Sequence, residues 1–192
     1  NLAAKVSTTT PYLVGAANAT YKVAVLDFGV KQSMLRIMSE KGIQLKVFPS
    51  TASFEDLKSF NSDGIFISNG PGDPEAMSEA VNTVKQILEA QIPLFGICLG
   101  HQLLARANDI ATYKMHHGHR GVNHPVKNLK TGKSEITTQN HGFGVDVESA
   151  KQSDKINITH INLNDGSVEG ISVIGKPAFS VQYHPESTPG TH

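Results

Sequence analysis

Cysteine is nearly absent from this chain: Cys98 stands alone among 192 residues, so no internal disulfide can form and a reducing compartment is the natural setting. Net charge is absent as well. Lys+Arg and Asp+Glu number 17 each, which leaves no field to draw in nucleic acid or an anionic membrane. No apolar run approaches the roughly 18 residues needed to span a bilayer. The opening NLAAKVSTTTPYLVGAANAT lacks the charged start and apolar centre of a signal peptide, and no initiator Met precedes it. These absences lead to an expectation of a cytoplasmic enzyme or binding domain, present as a fragment, with no nucleic-acid partner and no membrane association.

The organisation that remains is a single domain with a tail. Residues 1–20, polar and rich in Thr and Ala, read as a linker, and residues 21–192 as the domain it enters. YKVAVLDF, IQLKVF, GIFIS and IPLFGIC are short apolar strands. Helical segments alternate with them: VKQSMLRIMSEKG, SFEDLKSF with a Ser53–Asp56 capping box, residues 75–90, and LGHQLLARAN. Continuous apolar strands with long crossovers predict an α/β fold, a parallel-core sheet covered by helices on both faces. After residue 110 short extended runs separated by Gly, Asn and Asp predict added antiparallel and edge strands.

A free cysteine in an apolar run is commonly a small core residue. Cys98, however, ends the fourth strand, and open parallel sheets do their chemistry at the carboxyl ends of strands. Gly96 and Gly100 flank it as G-x-C-x-G, the layout of a nucleophile elbow. The following helix aims its first amides at the sulfur, which favours thiolate and places the Leu99 N–H for an oxyanion. His101 is a neighbouring base candidate that could equally pack against the sheet. A thiolate nucleophile needs a proton carrier, and AFSVQYHPES offers one. Residues two apart in an extended segment point the same way, so Glu186 can orient His184; the competing reading is a polar turn. SNGPGDP, after the third strand, bares backbone amides at Gly70 and Gly72. Phosphate binding is its rival use, but no Walker lysine and no G-x-G-x-x-G accompany it.

Elbow, HPE pair and glycine loop together resemble the class I glutamine amidotransferases. SNGPGDP, GHRGVNHPV, TTQNHGFGVD and NDGSVEGI are similar, more narrowly, to the small, glutamine-hydrolysing subunit of carbamoyl phosphate synthetase. The resemblance runs from about residue 22 to the end. It implies a flavodoxin-like fold and a catalytic Cys98, His184 and Glu186. It also implies glutamine binding by Gly70, Gly72, Leu99, Gln102, Asn140, Gly142 and Phe143. The implied reaction is hydrolysis of L-glutamine to glutamate and ammonia. The ammonia would pass to a large synthetase subunit for carbamoyl phosphate in pyrimidine and arginine synthesis. No cofactor is implied in this chain, ATP and Mg being expected on the partner.

In that family the small subunit carries, in addition, an N-terminal domain that contributes a serine to the glutamine pocket. Residues 1–20 would be its linker remnant. Asp109 and Val122 stand where glycines are usual, and Thr191–His192 fall inside an expected loop. The rivals are an amidotransferase of another pathway such as anthranilate synthesis, a non-catalytic regulatory domain of this fold, and a cysteine peptidase. HHGHRGVNH invites a metal, yet neither cysteine nor carboxylate lies within it, and no metal is expected. His141 is expected to pack or to hydrogen-bond behind the glutamine site.

Overall fold

The computed structural model describes residues 1–187; the expected loop at Thr191–His192 lies outside them. Beyond Asp27 and Ile67 the chain leaves its strands at one end of a twisted sheet, and the site is built there. In chain order the elements are α1 (Leu2–Val6), β1 (Tyr12–Val14), β2 (Tyr21–Asp27), α2 (Gln32–Glu40), β3 (Ile43–Pro49), α3 (Phe54–Lys58) and β4 (Gly64–Ile67). There follow α4 (Ser78–Glu89), β5 (Leu94–Ile97), α5 (Leu99–Ala107), β6 (Thr112–Asn128), β7 (Ser134–Val145), α6 (Val147–Gln152), β8 (Ile156–Asn162), β9 (Val168–Val173) and β10 (Ala178–Val181).

The strands form one sheet in the order β1-β3-β2-β4-β5-β10-β9-β8-β6-β7. Its five parallel strands run β3-β2-β4-β5-β10, which in chain order is the flavodoxin-like 2-1-3-4-5. Strand alternation splits the core in two. Ala24, Leu26, Ile65 and Ile67 face α3, α4 and α5, where Leu57, Val84, Ile87, Leu103 and Leu104 are buried. Val25, Leu45, Val47 and Phe66 face the other way, against Met34 and Leu35 of α2. The capping box of α3 forms as expected: Asp56 N donates to Ser53 Oγ while Asp56 Oδ2 accepts from Ser53 N.

Several elements differ from the sequence expectation. Residues 1–20 are not plain linker. Tyr12–Val14 pairs antiparallel with β3, and Thr8 N donates to the buried Asp27 carboxylate at 2.8 Å. The helix expected over 75–90 is broken at Met77, with a 3-10 turn at Pro74–Ala76 before α4 begins at Ser78. Four of the extended runs fuse pairwise into the long hairpin β6–β7, whose register shifts at Lys114/His119 and Gly121/His124. Helix α6 is an addition to the expected elements, capped by Asp146, whose side chain accepts from Ser149 N. β10 is no edge strand; it pairs parallel with β5 in the middle of the sheet.

Between β5 and α5 the backbone turns within one residue. Cys98 takes φ 56° and ψ −103°, a conformation that L-residues rarely adopt. The turn closes because its neighbours carry no side chain. A Cβ at Gly96 would lie 2.7 Å from Gly100 backbone atoms, and one at Gly100 would lie 2.2 Å from the Ile67 carbonyl oxygen. Gly100→Ala must therefore push α5 off β4. We expect about 1–3 kcal/mol lost, the usual range for overpacking, read as a lower urea midpoint with an unchanged m-value.

Candidate active site

Three loops meet at the carboxyl ends of the parallel strands. The loop after β4 is stitched to the loop after β2: Phe28 N donates to Ser68 Oγ at 2.9 Å, and Asn69 Nδ2 to the Gly29 carbonyl at 3.1 Å. Gly70 packs on this seam so closely that a Cβ would sit 2.1 Å from the Phe28 carbonyl oxygen. Gly72 needs glycine for another reason, a φ of 116°. The third loop is the Cys98 turn itself.

These loops and β7 enclose a cavity of about 580 Å³, within the ordinary range of small-molecule sites. Of the residues singled out in the sequence, Cys98, His184, Gly70, Gly72, Gln102, Asn140, Gly142 and Phe143 all line it. Leu99 and Glu186 stand just behind. The Leu99 amide favours the anion of the Cys98 sulfur, and Glu186 Oε1 lies 3.0 Å from His184 Nδ1. A carboxylate only accepts, so His184 Nδ1 carries the hydrogen and Nε2 is left with a lone pair. The His184 amide is itself anchored to the Thr138 carbonyl at 2.9 Å.

Lys31 joins the site from outside the sequence-based set. It sits at the entry to α2, lines the cavity, and donates to Glu186 Oε1 at 3.1 Å, so one carboxylate oxygen holds both His184 and a cation. Burial alone would raise the Glu186 carboxyl. The hydrogen bonds from His184 and Lys31 outweigh it and hold the group below its usual value. No sequence signal marks Lys31, because its partner is 155 positions away. Lys114 and Arg120 of β6 also reach the cavity, as does Val6 of the N-terminal segment.

His101 is not a base in this site. It is fully buried, its Nδ1 is 2.7 Å from Ser180 Oγ beneath α5, and burial drives it down to about 3. Gln102 is partly committed: its Nε2 donates to the Phe143 carbonyl at 2.9 Å and to Gln182 Oε1 at 3.1 Å. His141 Nδ1 meets the same Phe143 carbonyl at 2.7 Å, so it works through hydrogen bonding behind the strand.

The thiol differs from expectation. The helix amide at Leu99 and the Lys31 charge favour thiolate, but burial dominates and pushes Cys98 up to about 12. Its Sγ–H points at the Asn140 carbonyl, 3.9 Å away, a contact only the protonated form makes.

A strand–nucleophile–helix turn on a parallel sheet, with a histidine held by a carboxylate across the cavity, defines a hydrolase-type cysteine site. Residues 24–192 match the family Glutamine amidotransferase class-I, and the chain belongs to that family. It is 53% identical over 171 residues to carbamoyl phosphate synthase small chains of Brucella ovis and Brucella abortus. That match takes in 88% of this chain and 42% of each relative, so the chain spans about two fifths of their length. Among solved structures, a Thermoplasma acidophilum protein assigned to GMP synthase superposes with TM-score 0.73 at 20% identity, over 86% of this chain and 84% of that one. A Thermotoga maritima glutamine amidotransferase gives 0.66 at 17% identity, over 86% of this chain and 76% of that one. At such identities the two likenesses establish the fold.

A raised thiol pKa fixes the sign of a pH test. Below about 12 the sulfur is mostly neutral, and its thiolate fraction grows about tenfold per pH unit. Without glutamine, iodoacetamide should alkylate Cys98 at a rate rising log-linearly from about pH 7 to about pH 10. A plateau near neutrality, read by intact mass, would mean a poised thiolate instead.

Proposed function

We propose that this chain hydrolyses the side-chain amide of L-glutamine to glutamate and ammonia, as the glutaminase component of a carbamoyl phosphate synthetase. The observation that carries the reading is the single cavity shared by the Cys98 turn and His184, with Glu186 fixing the tautomer of His184. Identity to the carbamoyl phosphate synthase small chains supports the narrower assignment.

Chemistry follows from those positions. As glutamine enters, His184 Nε2 takes the Cys98 proton and the sulfur bonds to the amide carbon. The Leu99 and Gly70 amides receive the oxyanion, which removes the need to generate charge in the open. Collapse breaks the carbon–nitrogen bond, and His184 returns its proton to the departing nitrogen, giving ammonia and a glutamyl thioester. Water, deprotonated by His184, then attacks the thioester; glutamate leaves and the thiol is restored. Glu186 stabilises each transient imidazolium, and Lys31 keeps Glu186 ionised and in place. Gly72, Gln102, Asn140, Gly142 and Phe143 surround the amino-acid end of the substrate. Their backbone groups and neutral carboxamides suit a zwitterion.

The ammonia would be used by a large synthetase subunit that binds ATP and Mg, since no nucleotide-binding motif occurs in this sequence. There it would enter carbamoyl phosphate for pyrimidine and arginine synthesis. No helix among the described residues is long and apolar enough to cross a membrane.

Glutamine-dependent ammonia release, measured with and without a purified large subunit, tests the reading. Cys98→Ala should abolish release. His184→Asn should lower kcat about 10²–10⁴-fold, the range for a lost acid–base group, with a smaller effect on KM. Wild-type ammonia release by Cys98→Ala would end the proposal.

A further inference from the structure

Beside the cavity, three strands bring together a second set of titratable side chains that the proposed hydrolysis does not use for proton transfer. His119 of β6, His141 of β7 and Glu169 of β9 are all buried, and one ligand atom from each lies within 4.8 Å of the others. The histidine run HHGHRGVNH has no carboxylate of its own; the fold supplies one from NDGSVEGI.

Counting hydrogens shows what the cluster lacks. His119 Nε2 is 2.6 Å from Asp165 Oδ2, and His141 Nδ1 is 2.7 Å from the Phe143 carbonyl oxygen. Both partners only accept, so those ring nitrogens carry the hydrogens. His119 Nδ1 and His141 Nε2 then face each other at 3.1 Å as lone pairs. Gln139 Oε1 adds a third acceptor, 2.8 Å from His141 Nε2. Its amide orientation is set by Thr137. That hydroxyl gives its hydrogen to the His124 carbonyl, and accepts from Gln139 Nε2 at 3.1 Å. Glu169 Oε1, which accepts from Asn162 Nδ2 at 3.2 Å, lies 3.5 Å from His119 Nδ1, and its fully buried Oε2 has no hydrogen-bond partner among the described residues.

Four acceptors thus converge, and with neutral imidazoles no hydrogen lies between the rings. Their repulsion is relieved by a positive charge at the centre, either a proton on His119 between Asp165 and Glu169 or a metal ion.

We propose that His119 Nδ1, His141 Nε2 and Glu169 bind one zinc-class divalent cation, with Gln139 Oε1 in reach of the fourth position. Tetrahedral zinc with bonds of 2.0–2.1 Å sets neighbouring ligand atoms about 3.3 Å apart; two pairs of the cluster stand at 3.1 and 3.5 Å, and the third lies within 4.8 Å. Two imidazoles and a carboxylate form a borderline donor set of the kind zinc takes. The outer partners are also in place, because Asp165 and the Phe143 carbonyl fix both rings with the correct nitrogen inward. The ion ties β7 to β6 and β9. It thereby steadies the strand that presents Asn140, Gly142 and Phe143 to the cavity.

Metal analysis of the purified chain is the test, followed by Zn²⁺ and Co²⁺ titration after EDTA treatment. One ion per chain is expected, with tetrahedral Co²⁺ absorption bands and a higher Tm on adding Zn²⁺. Asp165→Asn changes a side chain that is 44% exposed and should weaken Zn²⁺ binding about 10–100-fold. Glu169→Gln should abolish stoichiometric binding, while a paired His116→Ala, His117→Ala variant at exposed positions should leave it intact. If Glu169→Gln fails to fold, Asp165→Asn decides. The proposal is overturned if the stripped chain takes up no stoichiometric Zn²⁺. It is equally overturned if stoichiometric uptake survives Glu169→Gln or, where that variant does not fold, if Asp165→Asn leaves the Zn²⁺ affinity unchanged.

Discussion

Everything at the catalytic end of this molecule depends on the contact between Gly100 and the Ile67 carbonyl. Helix α5 can begin at Leu99 only because it rests directly on the backbone of β4. That contact forces Cys98 into its left-handed conformation, a strain of about 1–3 kcal/mol. β10 holds the strained residue from the other side, where Cys98 N donates to the Val181 carbonyl at 3.0 Å. The same strand then delivers His184 three residues on. One packing constraint therefore sets nucleophile, amide donor and base relative to one another.

Burial and charge act in opposition around the sulfur. The thiol is kept neutral by its surroundings, although a helix N-terminus and Lys31 favour the anion. A resting neutral thiol limits side reactions, and it makes proton transfer to His184 part of the reaction rather than a precondition. Glu186 is the contrasting case: its side chain is also covered, yet it stays ionised because two donors converge on it. Burial decides the thiol, whereas the hydrogen bonds from His184 and Lys31 decide the carboxyl.

Local signals carried most of the fold and the centre of the site. Apolar runs alternating with amphipathic segments marked the parallel strands, and G-x-C-x-G, NGPGDP and HPE sat at their ends. What escaped is what depends on distant pairing. β10 is too short to reveal that it lies parallel to β5, and the β6–β7 hairpin is interrupted by glycines that read as breaks until its bulges are seen. Residues 1–20 are polar enough to look like linker, yet Asp27 captures the Thr8 amide and Tyr12–Val14 finds an open sheet edge. Lys31 and the His119–His141–Glu169 cluster likewise come together only through the tertiary fold. Residue type and spacing give no warning of Lys31, and the run HHGHRGVNH pointed only to His119 without its distant partners.

The most direct measurement is covalent trapping with an electrophilic glutamine analogue, read by intact mass and peptide mapping, with and without excess glutamine. A single adduct on Cys98, slowed by glutamine and absent from Cys98→Ser, is the result expected of a glutamine-hydrolysing thiol. Labelling that glutamine leaves unchanged, or an adduct that persists in Cys98→Ser, would contradict it.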